Sequence, residues 1–271
     1  MTTTQAPAPT RSRVETGRRL TFARALRGEW IKLATLRSTW WSIGIAAALT
    51  VGIAVLIAQA VDMPGFEPIQ AVIMPIQFTM LLAGILGAIS VTGEYSTGMI
   101  RSTLTANPVR GSVLAAKSIV LAVFMFLSSL VIFAVAAVAV SLIVAPRDQS
   151  IDWSDPAASL LPILVSSLAM SVFALIGVSF GFILRSGAGA IAATVGVLFV
   201  LPIVANFFSL AGEAWAWVVE ASAYLPVAAA QSAIMPGEGA ALDAPVAFLT
   251  LACWIAGGAV VAWGVLRTRD A

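Results

Sequence analysis

The chain has 271 residues, 60% of them hydrophobic and 10% charged, whereas an average soluble domain carries about 25% charged residues; a water-soluble core cannot absorb that excess. Its 15 Lys and Arg against 13 Asp and Glu leave a net charge of +2, which gives no reason to expect a nucleic-acid partner. Histidine is absent, which removes Ser-His and Cys-His nucleophile pairs and most zinc sites.

Residues 1–19, rich in Thr, Pro and Arg, cannot build a core and read as a disordered tail. Arg18-Arg19 followed by Leu-Thr-Phe loosely resembles a twin-arginine export signal, but Arg24, Arg27, Glu29 and Lys32 then fall where such a signal needs apolar residues, so the pair reads as coincidence. Residues 20–37 predict an amphipathic helix lying in the membrane interface. At about 100° per residue Leu36, Phe22, Leu33, Leu26 and Trp30 share a sector of about 120°, with Arg24, Arg27 and Lys32 away from it. Glu29 falls inside that sector and Ile31 outside it; snorkelling or pairing with Lys32 is the expectation for Glu29.

A helix needs about 20 apolar residues to cross about 30 Å of hydrocarbon. Charge-free stretches of sufficient length run over 38–61, 68–93, 118–146, 156–184, 186–212 and 244–266. Backbone in lipid must satisfy its own hydrogen bonds, and the short alternating segments of a barrel are missing. The expected fold class is therefore all-α: a polytopic membrane protein with six transmembrane helices, at 40–61, 69–92, 118–145, 159–184, 190–210 and 246–266. A loop at 93–117 and an outer loop at 211–245 follow, with a short C-terminus at 268–271. Residues 221–237 contain Pro226, Gln231, Ser232 and Pro236 and read as interfacial. Pro75 and Pro162 lie near span starts, while Pro202 sits deeper in the fifth span and predicts a kink.

Every Lys and Arg except Arg147 falls on one side of these spans, and Asp62, Glu67, Asp148, Asp152, Asp155, Glu213, Glu220, Glu238 and Asp243 fall on the other. Basic residues near span ends are retained inside, so both termini are expected in the cytoplasm of a bacterial cell, with the chain in its plasma membrane. By this division no span holds an ionisable residue, which deprives an ion-coupled carrier of its usual signature. Gln70, Gln77, Ser128, Ser129, Ser166, Ser167, Ser171, Ser179 and Asn206 read as interhelical hydrogen-bonding groups, and Gly177 with Gly181, or Ala83 with Gly87, as close-packing pairs.

Catalytic chemistry finds little purchase. Cys253, alone in the sixth span, reads as a buried structural thiol, and Asp148, Asp152 and Asp155 as a solvated linker in place of a metal site. Gly111 to Ser118 approaches a phosphate loop, but Ala116 replaces the second glycine and the segment leads into a span. No cofactor is expected in this chain.

Between the second and third spans lies the polar island GEYSTGMIRSTLTANPVRG, residues 93–111. Met99, Ile100, Thr103 and Leu104 recur at helical spacing behind Ser96 or Thr97 as N-caps, and Asn107, preceding Pro108, ends the element. The residues alone leave two readings open: a stiff handle for a cytoplasmic partner, or a charged loop anchored at the headgroups.

This island extended to Lys117, with RGEWIKLATLRSTWW at 27–41, resembles the permease subunit of type-2 ABC transporters, particularly the drug- and lipid-exporter-like group of actinobacteria. The resemblance implies an exporter permease, not itself an enzyme, that pairs with a second permease and with separate ATPase subunits binding ATP. It implies that Glu94, Tyr95, Arg101, Asn107, Pro108 and Arg110 form a coupling element seated in the ATPase, with Glu29, Trp30, Lys32 and Arg37 of the interfacial helix beside it. It also implies short outer helices in 211–245, where Trp215, Trp217 and Tyr224 suit either a lid or an aromatic belt. A non-transporting membrane scaffold and a secondary carrier stand as alternatives.

Overall fold

The structure, a computed structural model, describes residues 21–61, 66–107, 109–210, 212–237 and 239–268, so the expected tail 1–19 and Pro108 lie outside the described residues. Among the described residues every regular element is a helix.

The interfacial helix α1 spans Phe22–Thr35 and buries Glu29 and Leu33, leaving Ile31 exposed. A single extended residue, Leu36, turns it into α2, Arg37–Ala60. The corner is pinned twice. Trp40 Nε1 donates to the Ala34 carbonyl at 2.9 Å, satisfying one of the acceptors a helix end leaves open. Trp30 and Trp40 then both set ring edges against Phe124, with centroids 6.1 Å apart in each case.

The second span is broken near its N-terminal end. Met74-Pro75 separates α3, Pro68–Ile73, from α4, Ile76–Ser96, because proline supplies no N–H to continue the ladder. The short helix α5, Met99–Ala106, follows, and then α6, Arg110–Val144, whose 35 residues reach about 52 Å at 1.5 Å each, longer than the hydrocarbon needs. At the far end of α6, Arg147 donates to the Ala58 and Gln59 carbonyls at 2.9 and 3.1 Å. Arg147 thus caps the C-terminal end of α2.

Helix α7, Leu160–Leu184, is the most enclosed span and packs on α4, α6 and α12. Its contact with α4 is the most extensive in the fold. The reason is glycine. A side chain at Gly177 would run into the Gly84 carbonyl, one at Gly87 into the Ala174 carbonyl, and one at Gly181 would come within 2.8 Å of Val91 Cβ. Gly177 and Gly181 of α7 thus pack on Gly84, Ala88 and Val91 of α4, and Gly87 of α4 packs on Ala174 of α7, so the backbones touch.

After Arg185 and Ser186 the fifth span is composite: α8, Gly187–Val195, a π-turn at Gly196–Val200, and α9, Leu201–Phe208. The ring of Pro202 would strike the Leu198 carbonyl in a straight α-helix. The π-turn relieves this, with the Leu201 N–H reaching back to the Gly196 carbonyl, so the proline signal takes the form of a π-bulge. Short helices α10, Ala216–Ser222, and α11, Pro226–Ile234, precede α12, Ala244–Thr268. Among the described residues six helical stretches are long and apolar enough to cross a membrane.

Segment 221–237, read as interfacial in place of spanning, holds no membrane-crossing helix among the described residues: α11 has 9 residues and packs on α7 and α12, where its alanines let it fit closely. Three expectations need correction. Cys253 is exposed, since α12 buries little of its surface and an apolar helix in lipid has no obligation to hide its residues. Ser96 and Thr97 do not cap α5; they close α4 by donating to the Gly93 carbonyl at 3.0 and 2.8 Å. The residue before α5 is Gly98 at φ +71°, a left-handed turn that glycine adopts without cost. Finally, the loop 93–117 contracts at both ends, and Glu94 and Lys117 belong to continuous helices.

Candidate functional site

At the end of the bundle carrying α1 and α5, four charged side chains from three helices form one joint. Lys117 of α6 places its ammonium 2.7 Å from Glu29 Oε2, 2.7 Å from Glu94 Oε1 and 3.3 Å from the Ser90 carbonyl. Lys32 of α1 reaches Glu29 Oε1 at 2.7 Å, Glu94 Oε1 at 2.9 Å and Thr103 Oγ1 of α5 at 3.3 Å. Glu29, Glu94 and Lys117 are buried; Lys32 is partly exposed. Two positive and two negative charges cancel, which is how helices rich in aliphatic residues can accommodate them.

The sequence explains the convergence. Glu29 sits on the apolar face of α1, so packing that face carries the carboxylate inward. Lys32, one turn later, faces the same carboxylate at the margin. Burial pushes Glu29 up, but attraction and hydrogen bonds from Lys117 and Lys32 outweigh it and hold the carboxyl below its ordinary range. Burial likewise pushes Lys32 down, and its hydrogen bonds to the Glu29 and Glu94 carboxylates, with their attraction, more than offset this, leaving its pKa raised.

The other expected site residues divide into groups. Arg101 lies exposed on α5, beside Ser102 and Thr105, whereas Ile100 on the opposite side is buried. Asn107 ends α5 in an extended conformation, donating to Ser112 Oγ at 2.6 Å and accepting from the Val109 N–H at 3.3 Å. Arg110 turns away from α5 and donates to the Leu266 carbonyl, gripping the last turn of α12. Arg185, in a left-handed conformation after α7, donates to the Val265 carbonyl at 3.3 Å and stacks over the Tyr95 ring at 5.3 Å. Two arginines therefore complete the end of α12. Trp30 contacts Phe124, and Arg37 begins α2 on the surface. Gly177 and Gly181 lie elsewhere, at the α4–α7 crossing.

Sequence reading gave Lys117 no role in the site, placing it among the one-sided basic residues, at the end of the resembling segment and in a defective phosphate loop. Its amine is instead spent on two carboxylates. The overlooked signal was Glu29: a carboxylate on a buried face requires a cation from another element, and pairing with Lys32 alone leaves its second oxygen unmet. Among the described residues no cluster of three or more His, Cys, Asp or Glu could hold a metal.

A bundle of six membrane-crossing helices, with an interfacial helix and a short polar helix fastened to two of them, defines a multi-pass membrane transport component. The chain belongs to the ABC-2 family transporter proteins, whose family model matches residues 25–212, from α1 through α9 and thus across the whole joint. A comparison with curated proteins finds no match.

Proposed function

We propose that this permease serves an ATP-driven exporter, in which a separate ATPase subunit docks on α5 and drives the spans through the charged joint. Two copies, or this chain with a second permease, would enclose the pathway, and ATP would bind only to the partner. The α1–α5 end is assigned to the cytoplasm by its basic residues.

One observation carries this reading. The exposed face of α5 offers Arg101, Ser102 and Thr105, while its inner side is tied through Thr103 to Lys32, and Lys32 is tied to α4 and, through Glu29, to α6. Force on α5 would therefore reach α1, α4 and α6 together instead of dissipating in a loose loop. ATP-dependent closure of the partner would then shift the population between two arrangements of the spans. Arg101 and its neighbours are the docking groups in this scheme. Glu94, buried beneath them, positions α5 without touching the partner.

Recovery of tagged permease from native membranes tests the scheme. A cassette ATPase should copurify, and Arg101→Glu should release it while leaving the permease folded. Copurification of no ATPase would favour a membrane scaffold. Ion-gradient transport by the single chain in ATP-free liposomes would favour a secondary carrier.

A further inference from the structure

Where α6 begins and α12 ends, Val109, Arg110, Gly111, Trp263 and Arg267 enclose a cavity of about 420 Å³. Both helices are long enough to cross a membrane, so their ends place the cavity at headgroup depth. Its ionisable side chains are two arginines, and among the described residues no carboxylate lines it. In the sequence Arg269 and Asp270 follow, outside the described residues, and their charges cancel.

The two arginines are engaged differently. Arg110 donates to the Leu266 carbonyl and, at 3.5 Å, to the Arg267 carbonyl, so it braces α12 while adding positive charge to the cavity wall. Arg267 is exposed, and its guanidinium lies 4.3 Å over the Trp263 ring. That stack fixes the plane of the guanidinium fork and spends none of its N–H groups. Among the described residues those groups meet no acceptor, and neither does the Trp263 indole N–H, which stands beside Gly111. Accessible donors thus converge with positive charge on one cavity.

The surface next to it is apolar. Arg267, Trp263, Val260, Ala256 and Leu249 recur at helical spacing along α12 and are all exposed, so one stripe runs from the cavity towards the middle of the span. A cationic, indole-bearing corner at the end of such a stripe matches a molecule with an anionic head and a long apolar tail. A guanidinium fork fits phosphate oxygens in pairs, and a carboxylate alone would leave most of the cavity unfilled.

We propose that this corner binds the phosphodiester head of an anionic phospholipid of the phosphatidylglycerol class, held as a resident lipid and not as cargo. Arg267 and Trp263 donate to the phosphate, Arg110 adds attraction, and an acyl chain follows the α12 stripe. Phosphatidylcholine binds less well, because its choline brings a second cation into a basic pocket. The bound head joins the start of α6, just after α5, to the end of α12. The assignment does not depend on an ATPase docking at α5.

The test follows thermal unfolding of the purified full-length protein in dodecyl maltoside micelles carrying increasing mole fractions of phosphatidylglycerol or phosphatidylcholine, or with free glycerol phosphate in solution. Phosphatidylglycerol should raise the midpoint by several degrees at mole fractions where phosphatidylcholine leaves it nearly unchanged, since a ligand that prefers the folded state stabilises it. Arg267→Gln should raise the mole fraction needed for half of that shift several-fold, and Trp263→Leu takes its place should that variant fail to fold. Arg27→Gln, which removes an equal charge from the exposed side of α1, should keep the full response. Equal shifts from both lipids, an undiminished response in a folded site variant, an equal loss from Arg27→Gln, or a full shift from glycerol phosphate alone overturns the proposal.

Discussion

Lys117 and Glu29, 88 positions apart in the sequence, meet at 2.7 Å and fasten the interfacial helix to the third span. Both are nearly excluded from solvent, so neither can lose its partner cheaply. Lys117→Ala leaves two carboxylates short of a cation and should destabilise the fold by about 3–5 kcal/mol. Lys32→Ala, at the partly exposed margin, should cost less, about 1–2 kcal/mol, because solvent screens what remains. Thermal unfolding of the purified variants in one detergent checks the order.

The joint also fixes the direction of the pH response. Glu29 has a lowered folded value, so its stabilising contribution is fully present above its ordinary 4.5 and fades as pH falls through the lower folded value. Lys32 has a raised value, so its contribution is complete below its ordinary 10.5 and fades as pH rises through the higher folded value. The unfolding midpoint should therefore change little from these two groups between 4.5 and 10.5. Its acid decline should be shallower in Glu29→Gln, as read from unfolding midpoints between pH 3 and pH 7.

The α4–α7 crossing supplies a steric test with an internal control. Gly177→Leu would drive a side chain into the Gly84 carbonyl, whereas a side chain at Gly52 of α2 would meet nothing within 4 Å. Because backbone must yield in the first case, Gly177→Leu should cost at least the upper end of about 1–3 kcal/mol, and Gly52→Leu should be nearly neutral. Comparison of folded yield and unfolding midpoint separates the two.

Arg101 and Arg110 should behave differently despite lying on the same polar stretch. Arg101 is exposed on α5, so Arg101→Glu should change stability by no more than about 0.5 kcal/mol while abolishing ATPase copurification. Arg110 holds the Leu266 carbonyl, so Arg110→Ala should cost about 1–3 kcal/mol through the freed end of α12. Unfolding midpoints and partner recovery, measured on the same preparations, distinguish docking from bracing.

Orientation follows from two thiols. In a Cys253→Ser background, Ser102→Cys on α5 should resist impermeant maleimides applied outside intact cells and react after the membrane is opened. Native Cys253, exposed on the apolar α12, should react with a membrane-permeant reagent in either case. Outside labelling at 102 would invert the topology.

Hydropathy made the membrane class and six spans legible, because a charge-free run of about 20 residues has no other economical solvent than lipid. Asn107-Pro108 marked the end of α5 for a local reason, the steric restriction before proline. The small-residue pairs signalled close packing, but that Gly177 meets Gly84 and Gly87 meets Ala174 needed the tertiary arrangement. Two boundaries were misread because charges were treated as markers of water. Glu94 and Lys117 are charged and buried, each neutralised by a residue far away in sequence.

The amino-acid order by itself thus determined the solvent, the helices and the asymmetry of the basic residues, since each depends on composition within about 20 neighbouring positions. Tertiary structure alone decided which charges cancel, which glycines touch and which face of α5 remains open. Coulomb attraction and steric exclusion act between atoms brought within a few ångströms, and chain position gives no measure of that distance until the helices pack.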